Sequence, residues 1–79
     1  MKINLRLSGS LRLIYPDKAE NIFIETPGPI TIKSLLYKAG ISPFVASIIL
    51  IDGKKIDDKN KLIDKEEVEI TIMGPVAGG

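Results

Sequence analysis

The sequence predicts a two-layer α+β domain, a mixed four- to five-stranded sheet with one main helix packed on one face. Three observations carry this expectation. Lys2 to Ser8 alternates, with Ile3, Leu5 and Leu7 on one side and Lys2, Asn4 and Arg6 on the other, the period of a half-buried strand. Val68, Ile70 and Ile72 alternate in the same way with Glu69, Thr71 and Met73 near the other end of the chain. Between them a single stretch, residues 31–40, repeats at helical period, and a helix of about two turns holds only by laying its apolar stripe on a sheet.

Taken in order, the first strand is closed by turn chemistry at Ser8-Gly9-Ser10. Leu11 to Tyr15 is apolar without a clear period. It prolongs a hairpin or folds as a loop in which Leu11, Leu13 or Ile14 covers one end of the core. Pro16-Asp17 marks a turn. Glu20 to Thr26 is a second strand, with Ile22 and Ile24 on one face and Phe23 on the other, ended by Pro27-Gly28-Pro29. Thr31 has the chemistry of a helix N-cap, and Ile32, Leu35, Leu36 and Ala39 fall on one face. Gly40 stands where a left-handed C-terminal cap belongs, Ile41 is its apolar companion, and Pro43 blocks continuation. Val45 to Ile51 is a β-branched apolar run and reads as a strand. Asp52-Gly53 then turns the chain into a short edge strand, Lys54-Lys55-Ile56, whose lysines discourage strand addition. Asp57 to Lys61 is a loop, Leu62 and Ile63 drop from it into the core, and Asp64 to Glu67 is a solvated turn. The first and last strands have the cleanest patterns and are placed as the central, parallel pair. Residues 1–73 form the domain, and Pro75, which has no N–H to give a ladder, opens a flexible tail over residues 74–79.

Composition narrows the function. In 79 residues there is one small domain. Hydrophobic residues make up 44% and aromatic residues 5%, so the core is aliphatic. A net charge of +1 argues against a nucleic-acid or membrane-surface partner, and no run is long enough to span a bilayer. With no segment resembling a signal peptide, a cytoplasmic protein is expected. The absence of Cys excludes a disulfide framework, a thiolate nucleophile and a side-chain persulfide, and the absence of His removes the commonest general base. Asp57-Asp58 lacks the further oxygen ligands a metal site needs, so no bound cofactor or metal is expected. Tyr15 and Tyr37 read as packing residues, and Lys54-Lys55 and Glu66-Glu67 as solvated faces.

One candidate group for chemistry remains, the stretch Gly74-Pro75-Val76-Ala77-Gly78-Gly79. Six extended residues reach roughly 20 Å. Gly78 and Gly79 carry no Cβ and can enter a narrow channel in backbone conformations closed to other residues. The element order, the cap at Thr31, the strand-turn Ile49-Leu50-Ile51-Asp52-Gly53-Lys54, and Leu62 to Ile70 leading into Pro75-Val76-Ala77-Gly78-Gly79 resemble the ubiquitin-like β-grasp fold. More narrowly they are similar to the MoaD/ThiS family of prokaryotic sulfur carriers, the small subunit of molybdopterin synthase and the sulfur carrier of thiamine thiazole synthesis. The Pro-Val-Ala-Gly-Gly end and the long segment after the first strand look like the molybdopterin branch. The compact run from Thr31 to Gly53 looks more like the thiamine branch.

The resemblance implies a carrier, not an enzyme. The Gly79 carboxylate would be adenylated by a ubiquitin-activating-type partner enzyme that uses ATP, then converted to a thiocarboxylate. Pro75, Val76, Ala77 and Gly78 would thread the tail into the partner's channel. A sulfur-accepting synthase, either the molybdopterin synthase large subunit or thiazole synthase, would receive the sulfur. The free carrier is expected to be a monomer. Docking needs a surface beside the tail, and strand alternation supplies one. Ile49 and Ile51 face the helix, which leaves Ile48 and Leu50 outward with Met73, an apolar patch of the kind that marks partner sites. Molybdopterin or tungsten cofactor synthesis is the first reading. The alternatives are the thiamine pathway, a ubiquitin-like protein modifier, and a passive β-grasp interaction module.

Overall fold

A computed structural model describes residues 1–75. It contains β1 (Lys2–Ser8), α1 (Leu11–Ile14), β2 (Asn21–Glu25), β3 (Ile30–Thr31), α2 (Ile32–Lys38), β4 (Ile48–Ile51), β5 (Lys54–Ile56), β6 (Leu62–Ile63) and β7 (Glu67–Met73). Five strands form one mixed sheet in the order β2-β1-β7-β4-β5, and β3 and β6 make a separate two-residue pairing. β1 and β7 run parallel through the middle, from Lys2 beside Glu67 to Ser8 beside Met73. The remaining pairs are antiparallel. With α2 laid across one face, this is the β-grasp arrangement, and the expected α+β class and central parallel pair are both present.

The alternation in β1 and β7 becomes the core. Ile3, Leu5 and Leu7 are buried with Val68, Ile70 and Ile72, and α2 meets them with Ile32, Leu35 and Leu36. Removing each such side chain from water contributes about 1.5–3 kcal/mol. The helix ends follow their sequence signals. Thr31 Oγ1 accepts the Ser34 N–H at 3.1 Å, and the loop between β5 and β6 supplies further acceptors: Ile32 N–H donates to Lys61 O and Lys33 N–H to Lys59 O. At the other end Gly40 takes φ +76°, its N–H donates to Tyr37 O, and the Ile41 N–H reaches back to Leu36 O at 2.8 Å, the paired bonds of a Schellman cap. Positive φ at both Asp52 (49°) and Gly53 (84°) makes the β4–β5 connection a tight turn of the primed type.

Four expectations are corrected. The strand read over residues 45–51 begins only at Ile48. The Val45 N–H donates to Ser42 O in a turn, and Ala46 is buried, so the apolar start of that run is a packed loop. The unassigned stretch after β1 is a single helical turn in which Leu11 alone is buried, while Leu13 is 83% exposed. Leu62 does not enter the core. Pairing with β3 points successive side chains to opposite faces, so Ile63 is buried and Leu62 is 53% exposed. Tyr37 is exposed on α2, whereas Tyr15 packs against the core and its hydroxyl accepts the Ser42 N–H at 2.9 Å.

Candidate functional site

The site is the end of the sheet from which residues 76–79 continue. Because β1 and β7 are parallel, their C-terminal ends lie side by side, and β4 begins there too, with Ile48 opposite Met73. The Ser47 N–H donates to Met73 O at 3.0 Å and carries the pairing one residue past β4. α1 closes the other side. Ser10 Oγ donates to Pro75 O at 2.7 Å, and Gly74 is buried against α1. A Cβ built on Gly74 would collide with Ser10 Oγ and press on Leu11 N at 3.0 Å and Leu11 Cγ at 3.2 Å. Gly74 is therefore required by close approach. Gly74 and Pro75, the first two residues of the expected tail, are tied to the domain, so the chain leaves from a defined point. Val76, Ala77 and Gly78, for which threading is expected, and Gly79, for which adenylation and thiocarboxylation are expected, lie outside the described residues.

The expected docking residues come together as the register dictates. The sheet face away from α2 carries Ile48 and Leu50 from β4 and Thr71 and Met73 from β7, with Ile48 directly opposite Met73 and Leu50 opposite Thr71. All four are half-buried, while Ile49 of the same strand is buried in the core. Ile48 and Leu50 have no place in the core cluster, whereas Ile51 packs against it. The inward and outward assignment of β4 thus holds, and a small apolar surface adjoins the point where the chain leaves the sheet.

Three exposed apolar residues lie at this end, two of them, Leu13 and Ile14, offered by the sequence as cover for the core and the third, Phe44, missed. Leu13 and Ile14 on α1 and Phe44 in the loop before β4 are exposed, Phe44 by 93%. The Tyr15–Ser42 hydrogen bond joins the two segments that carry them. Their signal was visible only as surplus: each is a large apolar residue adjacent to a turn, with no partner in the strand or helix periods. Ser10 was also missed, since nothing local distinguishes a serine that reaches 65 residues along the chain from one that merely makes a turn.

The opposite end of the same face has different character. An open groove of about 530 Å³ runs over the starts of β1 and β7, bordered by Lys2, Asn4, Phe23, Glu25, Glu67 and Glu69. Asn4 Oδ1 is a buried acceptor there without a partner among the described residues. Beside it, Asp52 fixes the β4–β5 turn to β7. Its Oδ2 receives the Lys65 ammonium at 2.8 Å and its Oδ1 the Glu69 N–H at 3.0 Å. The lysine hydrogen bond first, and the backbone N–H second, hold the Asp52 carboxyl below its ordinary pKa, and the same pair raises Lys65. Among the described residues no cluster of three metal-ligating side chains occurs, and no helix is long and apolar enough to cross a membrane.

No protein-family model matches the chain, and no curated protein matches it. Solved structures do. The chain superposes over its whole length on the Haloferax volcanii HVO 2177 protein, covering 87% of that chain with a TM-score of 0.69 at 18% identity, a likeness of fold. It also superposes, with both chains covered completely, on a chain of the complex of subunits 1 and 2 of the molybdopterin-converting factor from Helicobacter pylori, with a TM-score of 0.60 at 26% identity.

Proposed function

We propose that this chain is a sulfur carrier whose Gly79 carboxylate is converted to a thiocarboxylate for molybdopterin (or tungsten) cofactor synthesis. The observation that carries the reading is the full-length structural match at 26% identity to a chain of the Helicobacter pylori molybdopterin-converting factor complex. In this chain a buried Gly74 and a Ser10-bound Pro75 lead into Val76-Ala77-Gly78-Gly79.

The chemistry explains what the tail must do. A carboxylate resists nucleophiles because it is anionic and its oxygen is a poor leaving group. A partner enzyme of the ubiquitin-activating type overcomes this: the carboxylate attacks the α-phosphorus of ATP, releasing pyrophosphate and leaving an acyl-adenylate. A persulfide sulfur then displaces AMP to give an acyl disulfide. A thiol cleaves its S–S bond, leaving the thiocarboxylate on the carrier and a new disulfide on the donor side. The carrier contributes reach and shape. Gly78 and Gly79 pass where a Cβ would not, the anchored base at Ser10 and Gly74 sets the direction of the tail, and Ile48, Leu50 and Met73 provide the adjoining surface for the activating enzyme and then for the sulfur-accepting synthase. ATP is bound by the partner, and the lack of cysteine in this chain follows because the sulfur rides on Gly79.

The test is exchange of labelled pyrophosphate into ATP by an activating enzyme of this type with the chain as substrate. Exchange that depends on the chain and is lost on deletion of Gly78-Gly79 supports adenylation. Exchange that survives the deletion contradicts it. Leu50→Asp, on the outward face, is expected to raise the KM for the chain in this assay without unfolding it, and an unchanged KM removes Leu50 from the docking surface.

A further inference from the structure

The sheet has two edges, and they are treated differently. β5 is three residues long and carries Lys54 and Lys55, both exposed. β2 is five residues long, Asn-Ile-Phe-Ile-Glu, with no lysine, proline or bulge, and among the described residues its single strand partner is β1. Edges of the second kind invite another strand.

The hydrogen-bond phase of β2 shows what its free side offers. The Thr26 N–H donates to Met1 O and the Met1 amine to Thr26 O, while the Leu7 N–H donates to Glu20 O. Antiparallel ladders alternate bonded and non-bonded pairs, so Ile24 and Ile22 also spend their backbone groups on β1. The N–H and C=O of Asn21, Phe23 and Glu25 then point away from the sheet, six backbone groups in a row, and none of them has a partner outside the ladder among the described residues.

We propose that this edge pairs with the same edge of a second copy, β2 antiparallel to β2 about a two-fold axis at Phe23. The register is self-complementary. Phe23 faces Phe23, and Asn21 faces Glu25 in both directions. These are the residues whose backbone groups are free, so the pairing satisfies all six from each copy. The side chains agree with it. Phe23 is 78% exposed in the single chain, and ring would meet ring at the axis. Ile22 and Ile24, half-buried beside the core, would meet their counterparts on the helix side. On the outer face each Glu25 already lies beside Lys2 of its own β1 and would gain Asn21 of the other copy, which is itself beside Arg6. No like charges oppose one another. The same two-fold axis would join the two sheets into one of ten strands, and it leaves Met73, Gly74 and Pro75 at the far end of the face. The proposal replaces the monomer expected from the sequence and does not depend on the carrier reading.

A single-strand contact is smaller than a standard interface, so a weak, concentration-dependent dimer is expected. Sedimentation equilibrium of the full chain from about 10 μM to about 1 mM should show mass rising toward twice the monomer. Backbone NMR over the same range should show slowed exchange at the Asn21, Phe23 and Glu25 amides, with Ile22 and Ile24 protected throughout. Phe23→Lys, at a position exposed enough to leave the fold unchanged by circular dichroism, places two ammonium groups at the axis and should weaken association by about tenfold or more. A monomer at every concentration overturns the proposal. So does a dimer that Phe23→Lys leaves intact, or one in which those three amides exchange as in the monomer.

Discussion

The anchoring of the tail's base makes a prediction at Gly74. An alanine there adds one methyl group between Ser10 Oγ and the Leu11 backbone, in a buried position where the nearest backbone atom would lie 3.0 Å away. The serine can rotate, but Leu11 cannot retreat easily because its side chain is buried in the core. Forcing a methyl group into packed surroundings costs about 1–3 kcal/mol. Replacing glycine restricts the unfolded chain and returns about 0.4–1 kcal/mol. At the centre of those ranges the net destabilisation is about 1.3 kcal/mol, and at most about 2.6 kcal/mol, out of the roughly 4–12 kcal/mol expected for a domain of 79 residues. In a thermal melt the central value lowers Tm by about 5–10 °C. Urea melts of wild type, Gly74→Ala, Ser10→Ala and the double variant give the coupling. Ser10→Ala removes the closest obstacle, so Gly74→Ala should cost about 1 kcal/mol less in that background. A Gly74→Ala protein as stable as wild type, or strictly additive changes, would refute the packing of Gly74 against α1.

Leu36→Ala, at the centre of the α2 stripe, should cost about 2–5 kcal/mol in the same melts, because the side chain is completely buried between helix and sheet. Thr31→Ala removes the side-chain acceptor of the Ser34 N–H and should cost about 1 kcal/mol, with Thr31→Ser close to wild type. The Asp52–Lys65 pair gives a pH dependence whose sign is fixed. Asp52 is depressed in the folded state, so its contribution is complete above the ordinary carboxylate range and is lost as pH falls through the lowered folded value; Lys65 is raised, so its contribution is lost only as pH rises above 10.5. Asp52→Asn should flatten the acid limb of the stability profile, and an unchanged limb contradicts the assignment. Gly78→Ala should leave stability unchanged and slow chain-dependent pyrophosphate exchange, and a normal exchange rate argues against threading.

What the sequence made legible has a physical pattern. Ile3, Leu5, Leu7, Val68, Ile70 and Ile72 were readable because β1 and β7 each bury one whole face, so period two survives intact. α2 was readable because Thr31, Gly40 and Ile41 each answer a local need of a helix end. The outward placement of Ile48, Leu50 and Met73 followed from the same alternation, although the pairing of Ile48 with Met73 waits on register, which is a property of two strands. Val45 and Ala46 misled because a packed loop and a strand both call for small or β-branched apolar residues, and only the turn at Ser42 separates them. Leu62 and Ile63 were indistinguishable because a two-residue strand is too short to show a period. α1 hides its role for the same reason: with Leu11 as its one buried residue it has no stripe, and the Ser10 contact that makes it part of the site joins residues 65 apart in the chain.

The central claim is that sulfur is loaded onto Gly79. Intact mass of the chain, measured after incubation with ATP, a ubiquitin-activating-type enzyme and a persulfide donor, tests it most directly. The account predicts a mass increase corresponding to one oxygen replaced by sulfur, located in the C-terminal peptide, dependent on ATP and abolished by deleting Gly78-Gly79. An unchanged mass, with the activating enzyme working on its own carrier in the same conditions, would contradict it.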